Sequence, residues 1–374
     1  MSVKDAHASS RPPCEHAGAR SPYEPPGDQR QCHYGALDLG TNNCRLLVAR
    51  PTRRGFQVVD AFSRIIRLGE GVTSSGRLSS AAMDRTIDAL RVCANKLARG
   101  RVTRSRLVAT EACRFAENGT EFLSRVRNEI GLHIEILSRE SEARLAVSGC
   151  SGLLDGQWDL ALVFDIGGGS SELIWLDASR PCGDSGAGPT AAASAIQSCV
   201  AAWTSLPIGV VTLAERFGGR CVEGDCFEDM VAYVTSSLEP FEAAHRFRER
   251  IAGTRYHMLG TSGTVTTVAG IHLGLDRYDR SRVDGCWLSS CDVQSVTDRL
   301  IGLSYEQRMA EPCVGKDRAD LVLAGCAILE ALLRLWPSTR LRVADRGLRE
   351  GILTTLMAED GVHRHRQTRH GGRR

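Results

Sequence analysis

The sequence contains no run of apolar residues long enough to cross a membrane. Its longest apolar stretch, 321–335, is interrupted by Glu330 and Arg334, so we predict a buried helix there and no membrane association. Residues 1–30 carry several prolines among charged side chains and lack the apolar core of a signal peptide. Both absences predict a protein that stays in the cytoplasm.

Paired cysteines are absent as well. Fourteen cysteines are scattered along the chain, but no two stand at the C-x-x-C spacing typical of zinc sites and redox centres. We therefore expect reduced thiols. Cys14 with His16 and Cys32 with His33 are weak candidates for a metal, because no second pair lies at the spacing of a zinc finger.

A large net charge is also missing. The formal charge of +3 is too small to predict nucleic-acid binding, and many basic residues lie in the tail 363–374. The first third of the chain is rich in arginine, which would attract a polyanion if the side chains met in one cleft. Separate solvent-facing positions are the alternative. The arginines concerned are Arg53, Arg54, Arg64, Arg67, Arg101, Arg104, Arg106 and Arg114.

The chain is long enough for two domains with a cleft between them, since single cores rarely grow far beyond 250 to 300 residues and this chain has 374. From Tyr34 onward, three short apolar strands are followed by alternating helices and strands. Ser79 is expected to cap the first of these helices and Thr120 the second. This order predicts an α/β fold.

One unit of this pattern occurs twice. Segments 36–43 and 163–170 share an apolar strand, an aspartate, an apolar residue, a glycine and a small polar turn, with a second apolar strand behind. The shared aspartates are Asp38 and Asp165. We interpret the repeat as an internal duplication of one strand–turn–strand unit.

Three turns that contain glycine, 38–42, 165–170 and 260–264, each follow an apolar strand. Glycine allows an anion to approach backbone N–H groups closely, so such turns can bind phosphate, although a single one usually only reverses the chain. The third also opens a helix, whose free N–H groups add a further site. The residues predicted to bind phosphate there are Gly260, Ser262, Gly263 and Thr264.

The two aspartates predict a metal site of a particular kind. Magnesium dehydrates reluctantly and normally keeps several waters, so Asp38 and Asp165 would hold it through water beside the substrate phosphates. The alternative is that each aspartate only stabilises its own turn. The duplication of the aspartate in equivalent turns favours the metal, with manganese as an alternative ion.

Together with these turns, the motifs Thr110–Arg114, Leu137–Leu145 and Ala344–Gly351 resemble the exopolyphosphatase/guanosine pentaphosphate phosphohydrolase (Ppx/GppA) family. The resemblance extends over roughly residues 34–357. It implies two actin-like, ribonuclease H-like lobes around a phosphate-binding cleft that uses magnesium. The run 139–141 departs from the Gly-Asn-Glu typical of many members, and no additional C-terminal helical domain is expected.

The resemblance also implies roles for individual residues. Glu142 would orient and deprotonate the attacking water, and Arg114 would balance charge on the transferred phosphate. Asp38 and Asp165 would hold magnesium-bound waters. Without the motif, Glu142 would read as an exposed helix residue. The residues implied to contact the terminal phosphates are Asn42, Gly167, Gly168, Gly169 and Ser170.

The predicted organisation has two tails and two lobes. A disordered tail covers 1–32 and a basic disordered tail covers 361–374. The first lobe covers 33–140, and a helix at 346–360 is a candidate to return to it. The second lobe covers 141–345 and includes a surface insertion at 177–200, rich in small residues.

The substrate expected first is inorganic polyphosphate, from which the chain would release terminal orthophosphate. Hydrolysis of guanosine pentaphosphate (pppGpp) is the close alternative, because both substrates present a terminal phosphoanhydride to the same cleft. Two other classes are a small-molecule kinase of the same superfamily, for which the sequence shows no acceptor site, and an alarmone-binding regulator, which Glu142 argues against. Formation of a homodimer is left open.

Overall fold

The computed structural model describes residues 32–52, 55–154, 157–180, 195–220, 222 and 224–362. The Cys14/His16 pair, Arg53, Arg54 and most of the predicted insertion lie outside the described residues. Among the described helices, none combines the length and the apolar composition needed to span a membrane.

The first sheet has five strands: β1 His33–Leu39, β2 Asn43–Thr52, β3 Gly55–Ile65, β4 Val102–Ala109 and β5 Glu135–Ile136. They lie in the order β3-β2-β1-β4-β5. The first three strands form an antiparallel meander, whereas β4 runs parallel to β1 and β5 runs parallel to β4.

The second sheet has six strands: β6 Leu160–Ile166, β7 Ser171–Asp177, β8 Val200–Leu206, β9 Tyr256–Thr261, β10 Trp287–Leu288 and β11 Leu341–Ala344. Their order is β10-β11-β9-β6-β7-β8. Apart from the edge strand β10, this repeats the order and the directions of the first sheet. The internal duplication is therefore confirmed, and the fold is the two-lobed actin-like α/β fold that the resemblance implies.

Fifteen α-helical segments pack with the sheets in the described part of the chain. Those that precede β6 are α1 Val72–Ser75, α2 Ser80–Arg99, α3 Glu111–Phe115, α4 Gly119–Ile130 and α5 Arg139–Cys150. Those that follow β7 are α6 (195–198), α7 Val210–Phe217, α8 Gly224–His245, α9 Phe247–Arg250, α10 Gly263–His272, α11 Arg280–Val283, α12 Ser290–Gly302, α13 Tyr305–Ala310, α14 Val322–Leu335 and α15 Leu348–Glu359. The apolar stretch near the end of the sequence is α14, which is buried as predicted.

One of the two predicted helix caps is confirmed. The Ser79 hydroxyl accepts a hydrogen bond from the Ala82 amide at the start of α2. Thr120 is not a cap, because α4 begins at Gly119 after Asn118. The Asn118 carboxamide bonds to the backbone of Leu78 instead, which ties the start of α4 to the segment before α2.

Helices α5 and α15 lie between the two sheets. Ala143 and Val147 of α5 pack on the second sheet, whereas Ile352 and Met357 of α15 pack on the first. The C-terminal helix therefore returns to the first lobe. Cys32 packs in the same cluster, so its assignment to a disordered tail is wrong, because burial of the thiol beside α15 fixes the start of β1.

The two helices cross so closely that only glycine fits. A Cβ on Gly149 would lie 1.9 Å from the carbonyl oxygen of Gly347, and a Cβ on Gly351 would lie 2.0 Å from that of Leu145. Because both obstacles are backbone atoms, a side chain can be accommodated only if the helices separate.

We expect Gly149→Ala to destabilise the protein by roughly 1–3 kcal/mol, since overpacking at a rigid contact moves backbone. Urea unfolding followed by circular dichroism measures this change. Gly152→Ala is the matched control, because a Cβ on Gly152 would meet nothing within 4 Å. Equal stability of the two variants would show that the crossing tolerates a methyl group.

An interlobe clasp joins the segment after β3 to the second lobe. The Arg67 guanidinium donates to both carboxylate oxygens of Asp320, at 2.8 and 3.0 Å, and to the carbonyl of Asp317 at 3.2 Å. The Gly71 amide donates to Glu215 at 2.7 Å. Arg67 has a left-handed backbone, with φ of 47°, and its amide donates to the Asn42 carbonyl. The clasp therefore links the first phosphate turn with the second lobe.

The other arginines of the first third do not meet in one cleft. Arg104 pairs with Glu359 at 2.6 Å and Arg106 with Glu135 at 2.5 Å, both away from the turns. Arg64 lies over the ring of Phe62. Of the described members of this group, only Arg67 and Arg114 bond across the interlobe region, so these arginines do not form one polyanion-binding surface.

Candidate active site

The first two glycine turns have the same construction and face each other. The Gly40 amide donates to the Asn43 carbonyl at 2.9 Å, and the Gly167 amide donates to the Ser170 carbonyl at the same distance. A Cβ on Gly168 would lie 3.2 Å from the Asn42 amide nitrogen. Glycine is therefore required where the turn of one lobe approaches the turn of the other.

The third turn is held under strain. Ser262 has φ of 86° and ψ of 179°, a conformation that costs about 1–3 kcal/mol in a residue with a side chain. Its hydroxyl donates to the Ile166 carbonyl at 2.6 Å. This hydrogen bond holds the start of α10 beside the end of β6. Gly260 does not belong to this turn: it lies within β9, where a Cβ would meet the Phe164 ring at 2.5 Å. Its assignment to phosphate binding is therefore replaced by a packing role.

A small cavity of about 60 Å³ lies where the three turns meet. Two cationic side chains, Arg45 and Arg318, also line it. The buried side-chain oxygen of Asn42 has no hydrogen-bond partner within the described residues. A buried carbonyl oxygen without a partner is costly, and this one could accept a hydrogen bond from water or another donor in the cavity. The predicted residues that line the cavity are Asn42, Gly167, Gly168, Ser262, Gly263 and Thr264.

Glu142 and Arg114 are in direct contact. The Arg114 guanidinium donates to Glu142 Oε2 at 3.0 Å, and both side chains are largely buried. Glu142 lies in the first turn of α5, after the Ser138 cap. Burial raises the pKa of Glu142 well above its ordinary value, the negative charge of Glu172 adds to this, and Arg114 opposes it.

Arg114 is itself held by two further groups. It donates to Glu111 at 2.6 Å and to the Leu137 carbonyl at 2.5 Å. Glu111 also accepts from Arg139 at 2.7 Å. Burial would raise the pKa of Glu111, but the hydrogen bonds from Arg139 and Arg114 outweigh it and lower the pKa. Glu111 therefore stays ionised and fixes the orientation of Arg114. Arg139, which lies in the run that departs from the family pattern, therefore helps to hold Glu111 in place.

Glu172 is a site residue that the motif-based prediction did not include. It lies in β7, only 2% exposed, and accepts a hydrogen bond from the Ser205 hydroxyl at 2.9 Å. Burial and the charge of Asp165 raise the pKa of Glu172 to about 7, against the hydrogen bonds from Ser170 and Ser205. The signal in the sequence is a carboxylate at the head of a strand whose next four residues, 173–176, are apolar, directly behind the second turn.

Four carboxylates therefore share the interior of the cleft, and we call them the carboxylate cluster: Asp38, Glu142, Asp165 and Glu172. Burial raises the pKa of Asp38, opposed by Arg45 and Arg349. Burial and the charge of Asp38 raise the pKa of Asp165 to about 6. The members thus destabilise one another in the ionised form.

The donor set of the cluster fits a hard divalent cation. Carboxylate oxygens are the ligands that magnesium and manganese prefer, and the mutual repulsion would be relieved by a positive ion. Among the described residues, no three His, Cys, Asp or Glu side chains lie close enough together to hold an ion directly. An ion at this position would keep part of its water shell, and Asp38 and Asp165 remain the residues predicted to contact those waters. Among the described residues, no third His, Cys, Asp or Glu side chain joins Cys32 and His33.

The end of the predicted insertion contacts the helix that carries Glu142. The Gln197 carboxamide in α6 donates to the Arg144 carbonyl at 2.7 Å and to the Ser148 hydroxyl at 3.0 Å. Residues 181–194 lie outside the described residues. The last part of 177–200 is therefore docked on α5 and is not a free surface loop.

Comparison with known proteins places these features in context. A model of the Ppx/GppA phosphatase family matches residues 47–360. The Aquifex aeolicus member of the Ppx/GppA family, known from a crystal structure, is 27% identical with a TM-score of 0.69, covering 88% of this chain and 98% of that one. An exopolyphosphatase-like protein is 28% identical with a TM-score of 0.74, covering 87% and 99%. An exopolyphosphatase from Cytophaga hutchinsonii, 24% identical, has a TM-score of 0.75 over 87% and 98% of the two chains and shows the shared fold alone.

Proposed function

This chain belongs to the Ppx/GppA phosphatase family, and we propose that it hydrolyses the terminal phosphoanhydride bond of inorganic polyphosphate, releasing orthophosphate. The observation that carries the proposal is the contact between Glu142 and Arg114. Glu111, which also holds Arg114, lies 3.2 Å from the place of a Cβ on Gly169 in the second glycine turn. A carboxylate that can accept a proton next to a cation that can bind the transferred group is what water attack on a phosphoanhydride requires.

Glu142 is proposed to act as the general base. Its Oε2 accepts from Arg114, whereas Oε1 accepts no hydrogen bond from the described residues and is free to take a proton from water. The raised pKa of Glu142 makes it a better proton acceptor than an exposed glutamate, provided that it is ionised when substrate is bound.

We propose that fixed backbone amides and arginine side chains neutralise the negative charge of the phosphates. Amides of the turns around Asn42 and Gly168, with Arg45 and Arg318 of the cavity lining, would hold the terminal phosphates without reorganising during the reaction. Arg114, beside Glu142, would add a further positive charge. Magnesium, when bound by the carboxylate cluster, would neutralise phosphate charge and favour the ionised carboxylates. No acceptor other than water is needed, so a kinase reaction is not proposed.

The linings of the two interlobe cavities favour polyphosphate over pppGpp. About 60 Å³ is room for little more than a phosphate group, and no aromatic residue lines this cavity. The neighbouring interlobe cavity, of about 240 Å³ around Arg67 and Arg220, is likewise without an aromatic lining. Recognition of a guanine base commonly uses stacking, whereas a phosphate chain needs only charge and hydrogen bonds.

The test of substrate measures phosphate release, in magnesium, from polyphosphate, pppGpp and ATP at matched concentrations of terminal phosphate. We expect the highest kcat/KM with polyphosphate. A higher value with pppGpp would reassign the enzyme to the alarmone, and phosphate release from none of the three would refute the proposed function.

A further inference from the structure

The outer edge of β3 is a surface that the proposed reaction does not use. β3 has 11 residues and forms one edge of the first sheet, whereas the other edge strands of the two sheets have two or seven. No further strand lies beside it in the part of the chain that the structure describes. Val58 and Val59 are 36% and 43% exposed. A long and exposed edge of this kind can pair with another chain.

The second half of β3 presents unpaired backbone groups at this edge. Ile65 lies opposite Asn43 of β2, and the hydrogen bond that flanks this pair comes from the Ile66 amide. Residue pairs in an antiparallel ladder alternate between hydrogen-bonded and non-hydrogen-bonded pairs. Ile65 therefore belongs to a non-hydrogen-bonded pair, and its own N–H and C=O groups point away from β2. By the same alternation, the backbone groups of Ala61 and Ser63 also point outward.

A second copy of β3 can meet these groups in an antiparallel arrangement with twofold symmetry. Only the register centred on Phe62 places Asp60 of one copy opposite Arg64 of the other, and the symmetry then forms this pair twice. Registers centred on Asp60 or Arg64 would oppose two like charges. Those centred on Ala61 or Ser63 would oppose a charged residue to Phe62. Because opposite charges across two strands stabilise their pairing, the sequence of β3 selects one register.

The two charged side chains are available for this contact. Both hydrogen bonds that Asp60 accepts, from the Lys96 ammonium and from the Ala61 amide, go to its Oδ1 atom. Its Oδ2 atom accepts none from the described residues. The Arg64 guanidinium lies over the Phe62 ring, 5.2 Å from the ring centroid, and forms no ion pair with any described carboxylate. Each side chain therefore keeps a free group for the second copy.

The register centred on Phe62 also suits the other face of the strand. It places Val59 opposite Ile65 of the second copy, so an exposed apolar side chain gains an apolar neighbour. It places Ala61 opposite Ser63, where the outward N–H and C=O groups of both residues meet in hydrogen-bonded pairs. The first sheets of the two copies would then form one continuous sheet.

We propose that the outer edge of β3 binds a second copy of this chain, by antiparallel pairing of the two β3 strands about a twofold axis at Phe62. Charged residues on an edge strand discourage pairing with an arbitrary strand. Here the same charges match those of an identical strand that runs in the opposite direction. The proposal concerns assembly, so it does not depend on which reaction the cleft catalyses.

Sedimentation equilibrium of the full chain tests this assembly. The parent protein should be a dimer that dissociates on dilution. Arg64→Glu places carboxylates opposite one another in both charged pairs, so the Kd of its dimer should increase about 10-fold or more. Asp60→Lys should have the same effect, because it opposes two cations. Arg101→Glu is the matched control and should dimerise like the parent, since Arg101 is exposed beside β4, which β1 and β2 separate from β3.

A mixture of the two variants tests the register. When an Arg64→Glu chain pairs with an Asp60→Lys chain, each charged residue faces an opposite charge. The mixture should therefore dimerise at a concentration at which each variant alone is monomeric. A monomeric parent protein, whose edge would then be bare or covered by its own chain, would overturn the proposal. So would a dimer whose Kd is the same in the parent and in both variants.

A proline variant keeps the proposal testable if Asp60→Lys, which loses the contact with Lys96, does not fold. The Ser63 amide points away from β2, so Ser63→Pro removes no ladder hydrogen bond of the single chain but removes one between the two copies. We expect Ser63→Pro to keep the circular dichroism spectrum of the parent protein and to sediment as a monomer. Dimerisation of Ser63→Pro with the Kd of the parent would show that the copies do not pair through β3.

Discussion

Glu142→Gln is expected to lower kcat by about 10²- to 10⁴-fold, the usual contribution of a general base. Glutamine keeps the shape of the side chain and its contact with Arg114 but cannot accept the proton of the attacking water. Affinity for the substrate should survive, because the phosphates are held by turn amides and arginines. Initial rates with polyphosphate and calorimetric Kd values measure the two effects separately.

Arg114→Ala provides the contrast to this variant. Arg114 faces charge in both the bound substrate and the transition state, so its loss should impair both Kd and kcat; it also leaves Glu111 with Arg139 as its remaining hydrogen-bond donor. Circular dichroism checks that both variants fold. If Glu142→Gln keeps a kcat near that of the parent protein, the base lies elsewhere and the role carried over from the family motif is wrong.

Chelation of divalent cations is expected to reduce phosphate release to background, with recovery when magnesium or manganese is added back. The positive side chains near the carboxylate cluster do not keep all four of its members ionised, because burial raises the pKa of each one. Phosphate release after exhaustive EDTA treatment and dialysis is the measurement. Full activity in that state would remove any role for a metal.

The magnesium concentration that the enzyme requires should increase as pH falls. The pKa of Asp165 is raised to about 6 and that of Glu172 to about 7, so protons compete with the ion below these values. The magnesium concentration for half-maximal rate should therefore increase as pH falls from about 8 to about 6. Raised pKa values also mean that the metal-free protein loses stability as pH rises through them, so its Tm should fall and magnesium should restore it. A requirement independent of pH would place the ion away from these carboxylates.

The repeated strand–turn–strand unit made much of the fold predictable. Asp38 and Asp165 end equivalent strands, and the sequence alone indicated that the segments around them are copies. The crossing of α5 and α15 was not predictable in the same way. It depends on Gly149 and Gly351, each of which lies against backbone atoms that are distant in sequence. The sequence around a helical glycine does not indicate which segment will pack against it.

Prediction of the site residues from the sequence is limited for similar reasons. Short motifs identify Glu142 and Arg114 as candidate site residues. In the folded chain, the Arg114 guanidinium lies 3.0 Å from the Glu142 carboxylate. Gly260 was assigned to a turn because it follows an apolar run, but pairing with Phe164 and Val343 keeps it in β9. Glu172 is not predicted by strand periodicity, because that pattern treats a charged residue as outward-facing, whereas both faces of β7 are covered.

The clasp between Arg67 and Asp320 has a thermodynamic consequence for ligand binding. In any arrangement with the lobes farther apart this pair would be broken, so the pair and a ligand that bridges the turns would both stabilise the closed arrangement. A ligand that needs the closed member binds with an apparent Kd that is its intrinsic Kd divided by the closed fraction. Weakening the clasp would therefore reduce affinity for every bridging ligand by one common factor, without any change in the groups that touch the ligand.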